Sequence, residues 1–131
     1  MSSKTYLFTV TSLVEVAAGL ALLAIPSVAI RLLFGVGQAS AEAVAIGRLG
    51  GAGLLAIGVA CWIAHRDAGS QSQRGLAFGA LVYNVGAVAV LAYAGSILAM
   101  AGALLWPAVV LHASLTAWCL VWLARRTGAA Q

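Results

Sequence analysis

Four strongly polar side chains interrupt four long apolar runs in this chain, one in each: Glu15, Arg48, Asn84 and His112. Nine residues separate Glu15 from Tyr6, Asn84 from Gly75 and His112 from Ala103, so at 1.5 Å per helical residue each lies about 13 Å into its run. Arg48 lies nearer the outer end, about a turn and a half inside the second run, with a side chain long enough to reach toward Glu15. An ionised carboxylate in hydrocarbon is costly, so it pairs, hydrogen-bonds or takes up a proton. A carboxyl, an amide and an imidazole meeting at one level could exchange a proton, hold a cation or grip the head of a small amphipathic ligand. The same residues also permit a purely structural arrangement. Glu15 and Arg48 would then form an ion pair, with Asn84 and His112 as interhelical hydrogen bonds worth about 1 kcal/mol or less each. Tyr83 points about 100° away from Asn84 on a helix and joins the site only if the pocket is wide.

The elements that must position these groups follow from composition. Of 131 residues, 63% are hydrophobic and 8% charged, and the mean hydropathy is +1.06. That leaves too little polar surface to cover a soluble core. A bilayer core about 30 Å thick needs roughly 20 apolar residues per helix. Runs of that length fall at 7–25, 44–64, 75–94 and 103–124. The expectation is an all-α, single-domain bundle of four transmembrane helices. A cleaved leader ending at Ala39-Ser40-Ala41 fits poorly, because the apolar run is too long and Arg31 precedes the site. No alternating short strands indicate a barrel.

Basic residues set the expected orientation, because short loops rich in Lys and Arg stay in the cytoplasm. Lys4, Arg66, Arg74, Arg125 and Arg126 fall on one side of a four-pass chain, Arg31 and Arg48 toward the other. Both termini are therefore expected in the cytoplasm, with the chain in a bacterial inner membrane. Tyr6, Phe8, Trp62, Trp118 and Trp122 would flank the cytoplasmic boundary, and Phe34 and Trp106 the outer one. The net charge of +4 is split among separated segments without a basic face, which argues against nucleic acid. After Pro26, the segment 27–34 (SVAIRLLF) predicts either a bent extension of the first helix or a short interfacial helix. Gly35, Gly37, Gln38 and Ser40 then make a turn. The stretch 65–74, HRDAGSQSQR, reads as a flexible cytoplasmic linker.

Small residues mark expected helix contacts. Gly47 and Gly51 are four apart, Ala52, Ala56 and Ala60 continue that spacing, and Gly75 and Gly79 repeat it in the third run. Such faces serve packing within the bundle or association with a second copy or another membrane protein. Cys61 and His65 share a helix face and Cys119 is expected at similar depth, a weak soft-metal set. His65 and His112 differ too much in depth for joint haem ligation. The match of residues 51–56 to a dinucleotide fingerprint lacks a preceding strand. Ser114 and Thr116 are expected to bond their own backbone.

The stretch Leu13-Val14-Glu15-Val16 resembles the surroundings of the membrane-embedded glutamate in the first helix of the small multidrug resistance transporters. Those proteins are similarly short four-helix chains whose glutamate binds protons and cationic drugs in alternation. The resemblance implies that role for Glu15 and covers one helix of four. The family's Gly-Thr and Lys after the glutamate are missing here, where Ala18-Gly19 and apolar residues follow. Its aromatic and glycine pattern around a Trp in the third helix is missing too.

Three roles follow from the residues. The first is a proton- or ion-coupled transporter or channel-like oligomer working through Glu15, Arg48, Asn84, His112 and Tyr83. The second is a bundle binding a lipid, quinone or pigment, and the third an accessory subunit docking through its Gly/Ala faces. An enzyme is least favoured, because no nucleophile and base are paired outside the midplane cluster, and no cofactor is specified.

Overall fold

The computed structural model describes residues 3–66 and 70–127, and these are all-helical. Helix α1 spans Ser3–Ala24, α2 Pro26–Phe34, α3 Ala41–Ala64, α4 Gln71–Ser96 and α5 Leu105–Thr127. Four of them, α1, α3, α4 and α5, are long and apolar enough to cross a membrane. Such helices satisfy their backbone polar groups internally, as a segment in lipid must. The expected four-helix architecture of an integral membrane protein is present at this level.

Local chemistry sets the helix limits. Pro26 brings no backbone donor and stands at the start of α2, so α1 stops at Ala24 and the chain turns into a separate short helix. Gly35 closes α2 in the left-handed conformation, φ 74°, and its N–H donates to Arg31 O at 2.8 Å. Ser40 caps α3 by accepting from the Ala43 N–H at 3.2 Å, and Ser70 caps α4 by accepting from the Gln73 N–H at 3.1 Å. That second cap makes residues 71–74 the first turn of α4, where the sequence reading placed linker. Gln73 is buried, and its Nε2 donates to Ala64 O at 3.0 Å, tying the end of α3 to α4. Residues 67–69 of the expected linker lie outside the described residues.

The helices pack chiefly as two antiparallel pairs, α1 with α3 and α4 with α5. The first pair is a backbone-to-backbone contact made by glycine. A Cβ on Gly19 would stand 2.7 Å from Gly51 O and 2.8 Å from Leu55 N. One on Gly58 would stand 2.7 Å from Val16 Cγ2 and 2.9 Å from Val16 N. The seam on α3 therefore runs Gly47, Gly51, Leu54, Gly58, Cys61 rather than along the alanines. Ala52 and Ala56 are exposed and Ala60 is half-buried, and Gly75 and Gly79 are exposed with open space where a Cβ would lie. Of the expected packing residues, Gly47 and Gly51 pack within the chain. Ala52 and Ala56 stand one residue past Gly51 and Leu55 off the α3 seam, and Gly75 and Gly79 lie off the buried stripe of α4, which runs through Gln73, Ala77, Ala80 and Asn84.

Two apolar layers close the bundle at its ends. Leu7, Phe8, Cys61, Ala77, Ala80, Cys119, Trp122 and Leu123 form one, with Phe8 and Trp122 edge to face at 5.4 Å. At the other end Leu91, Ala94 and Leu105 pack with Leu33, Phe34 and Met100. There the Leu104 N–H donates to Leu32 O at 2.9 Å, and Gly102 sits against the backbone of Leu32 and Leu33. The end of α2 is thereby fastened to the α4–α5 connection.

The glycine seam makes two substitutions diverge. Gly58→Ala forces its methyl into the α1 backbone and is expected to cost about 1–3 kcal/mol. Gly79→Ala meets no atom and should gain up to about 1 kcal/mol of helix propensity. Thermal unfolding in detergent compares the two, and equal effects would refute the seam as drawn.

Candidate functional site

Between the two apolar layers lies a polar one. Glu15 and Asn84 are each 0% exposed, and Thr11 and Ser12 are buried one helical turn before Glu15. The α1 residues share a face because they stand three and four positions apart. The buried stripe of α4 delivers Asn84 to the same interior, and α5 contributes His112, half-buried.

Asn84 and His112 join the second helix pair. Asn84 Nδ2 donates to Ala80 O at 2.7 Å, so the amide oxygen faces His112, whose Nδ1 lies 2.7 Å from Oδ1. A carbonyl oxygen only accepts, so Nδ1 carries the hydrogen and Nε2 of the neutral ring is left as an acceptor. The Tyr83 ring meets the His112 ring edge to face at 5.6 Å, interplanar angle 82°. Tyr83 therefore belongs to the layer despite its offset from Asn84 along the helix. Thr116 Oγ1 donates to His112 O and Ser114 Oγ to Val110 O, each at 2.8 Å, as expected of hydroxyls satisfying their own helix.

Glu15 stands apart from this network. Neither carboxyl oxygen has a hydrogen-bond partner among the described residues. It does lie within electrostatic reach of the Tyr83 phenol on α4 and the Cys61 thiol on α3. The ion pair with Arg48 is not formed. Arg48 is exposed and follows Gly47, which packs against Leu22 and Ile30, well toward the α2 end of α3, whereas Glu15 sits at the level of Leu55 and Gly58. The sequence measured their separation in depth but not their rotation, and one residue past the seam turns the arginine about 100° outward.

The soft-ligand set does not assemble. Cys61 and Cys119 are buried free thiols in the apolar layer. His65 Nδ1 is engaged by Trp62 O of its own helix, with its ring against the Trp62 ring. Among the described residues no three His, Cys, Asp or Glu side chains are grouped to hold a metal ion. Three buried polar residues escaped the sequence reading: Thr11, Ser12 and Gln73. The first two were legible from their spacing to Glu15; Gln73 was hidden because a polar stretch reads as linker until its cap is recognised.

No protein-family model, curated protein or solved structure matches this chain. The polar layer must therefore be read from its own chemistry. It holds one carboxyl without a partner among the described residues, one imidazole acceptor and one phenol, and the Arg48 guanidinium is turned away from it.

The amide sets the histidine tautomer in this arrangement. Side-chain nitrogen NMR of the wild type should show the hydrogen on His112 Nδ1. Asn84→Leu should release that preference and cost about 1–2 kcal/mol, and an unchanged tautomer would show that Asn84 does not orient the ring.

Proposed function

We propose that this chain is a small transporter-like protein of a bacterial inner membrane, with both termini cytoplasmic, in which Glu15 takes up and releases a proton as a small cation or amphipathic ligand is handled. The observation carrying this reading is the completely buried Glu15 carboxyl with neither oxygen hydrogen-bonded. A carboxyl so placed is tolerable as the neutral acid, and wetting it or setting a cation beside it favours loss of the proton. An ionisable group kept in a membrane interior without a structural partner is a functional group by default. His112 Nε2 and the Tyr83 hydroxyl supply the neighbouring sites for a proton or a hydrogen-bonding ligand head. Arg48, exposed on α3, takes no part at Glu15.

A second reading is supported by the outward faces of Ala52, Ala56, Gly75 and Gly79, which are exposed within the chain. Small residues let helices approach closely, so these faces suit a second copy of the chain or a membrane-protein partner. The two readings are compatible in a homo-oligomer of proton-handling bundles.

Infrared titration of the protein in vesicles tests the first reading. The wild type should show the carbonyl band of a neutral carboxylic acid at neutral pH, absent in Glu15→Gln. Glu15→Gln should change thermal stability by less than about 1 kcal/mol, while abolishing pH-driven uptake of a fluorescent organic cation into proteoliposomes. An ionised carboxylate at neutral pH, or uptake indifferent to the substitution, would defeat the proposal.

A further inference from the structure

A second polar recess lies at the end of the bundle remote from the termini, away from Glu15. It is lined by Ser27, Val28, Arg31, Gly37, Gln38 and Ala39 and has a volume of about 290 Å³. Three of these residues come from α2 and three from the turn that leads into α3, so the recess exists because Pro26 starts a new helix and Gly35 ends it. Ser27 and Arg31 are four apart and share one face of α2, while Gln38 approaches from the turn. The lining thus offers a guanidinium, a hydroxyl and an amide, and no acidic side chain. A planar guanidinium beside neutral donors is matched by the oxygens of a phosphate group.

The neighbouring stripe of α2 narrows the ligand further. Val28 lines the recess and Leu32 stands four residues on, next to the polar stripe, and both are exposed, as is Ile25 at the helix entry. Pro26 and Ile30 are the buried side of α2, holding it against the bundle. An apolar stripe open to the surroundings beside a phosphate-matching recess fits a molecule that has both parts. Because α2 joins the end of one membrane-crossing helix to the start of the next, it lies at the level where phospholipid headgroups meet acyl chains.

The geometry points to a phospholipid site in this recess, with Arg31, Ser27 and Gln38 on the headgroup phosphate and Ile25, Val28 and Leu32 along the upper acyl chains. The absence of an acid from the lining favours a headgroup of net negative charge over a zwitterionic one. The site is independent of the Glu15 reading, since it shares no residue with the polar layer.

The full chain in phosphatidylcholine nanodiscs containing a minority of phosphatidylglycerol provides the test. Two readouts apply: magnetic dipolar contact between arginine side-chain nitrogen and phosphorus, and phospholipid retained in native mass spectrometry. The wild type should show the contact and retain phosphatidylglycerol. Arg31→Gln should lower retention about tenfold, the worth of one charged hydrogen-bonding partner, and Ser27→Ala and Gln38→Ala less. Arg48→Gln, which alters an exposed arginine of α3, should leave retention unchanged. Equal losses from Arg31→Gln and Arg48→Gln would overturn the site in favour of general attraction to the membrane surface. Displacement of the retained lipid by inorganic phosphate alone would overturn the lipid assignment and leave a soluble-anion site. No phosphorus contact at arginine would overturn both.

Discussion

The close approach of α1 to α3 sets what the rest of the structure can do. With a methyl on Gly19, Gly51 or Gly58 the two backbones could not lie where they do. Water supplies no driving force between helices surrounded by lipid, so packing contact of this kind is what holds them. It also fixes the rotation of α1. Val16 and Ser12 abut Gly58 and Gly19 abuts Gly51, and Glu15, between these contacts in sequence, is carried to the buried interior.

That rotation explains both halves of the polar layer. The α4–α5 pair is joined through Asn84, whose amide gives one of its two N–H donors to Ala80 O and accepts at Oδ1 from His112. Neither Glu15 oxygen takes up the amide's second donor. The α3 seam facing Glu15 is made of glycine, leucine and cysteine, residues chosen for closeness rather than hydrogen bonding. A tight glycine contact and a carboxyl partner compete for the same surface, and here the contact has taken it. The buried carboxyl without a partner is thus a consequence of how the first pair is packed.

Most of the architecture was legible because hydropathy and helix length are one-dimensional properties. The four runs, the break at Pro26 and the coincidence in depth of Glu15, Asn84 and His112 needed only counting at 1.5 Å per residue. What counting could not supply was azimuth. Arg48 was assigned to Glu15 from depth alone, whereas Gly47 and Gly51 occupy the seam and turn Arg48 away from it. The alanine row at Ala52 and Ala56 looked equivalent to the glycine row one residue earlier, but only the absence of a Cβ permits contact between backbones. The offset of Tyr83 from Asn84 makes its place in the site conditional on a wide pocket, and its ring reaches His112 because an aromatic side chain spans that angle. Helix starts shifted for a different reason: Ser70 and Ser40 as caps extend helices into polar sequence that hydropathy leaves out.

The order of the layers bears on how a proton could reach Glu15. Phe8 and Trp122 seal the side toward the termini, and Leu91, Leu105 and their neighbours seal the other. The seal toward the termini is assembled from both helix pairs, Phe8 and Cys61 from the first and Cys119 and Trp122 from the second, and the other from the second pair and α2, which carries Leu33 and Phe34 onto Leu91 and Leu105. Contacts within each pair are extensive and contacts between the pairs sparse, so the inexpensive motion is a tilt of one pair against the other. Such a tilt parts one seal while compressing the opposite one, because the polar layer lies between them. The seal remote from the termini is additionally tied by the Leu104 to Leu32 hydrogen bond and the Gly102 contact, and near the termini Gln73 bonds α3 to α4. On the proposed reading, α2, through its fastening to the α4–α5 connection, is the element that an opening remote from the termini must move.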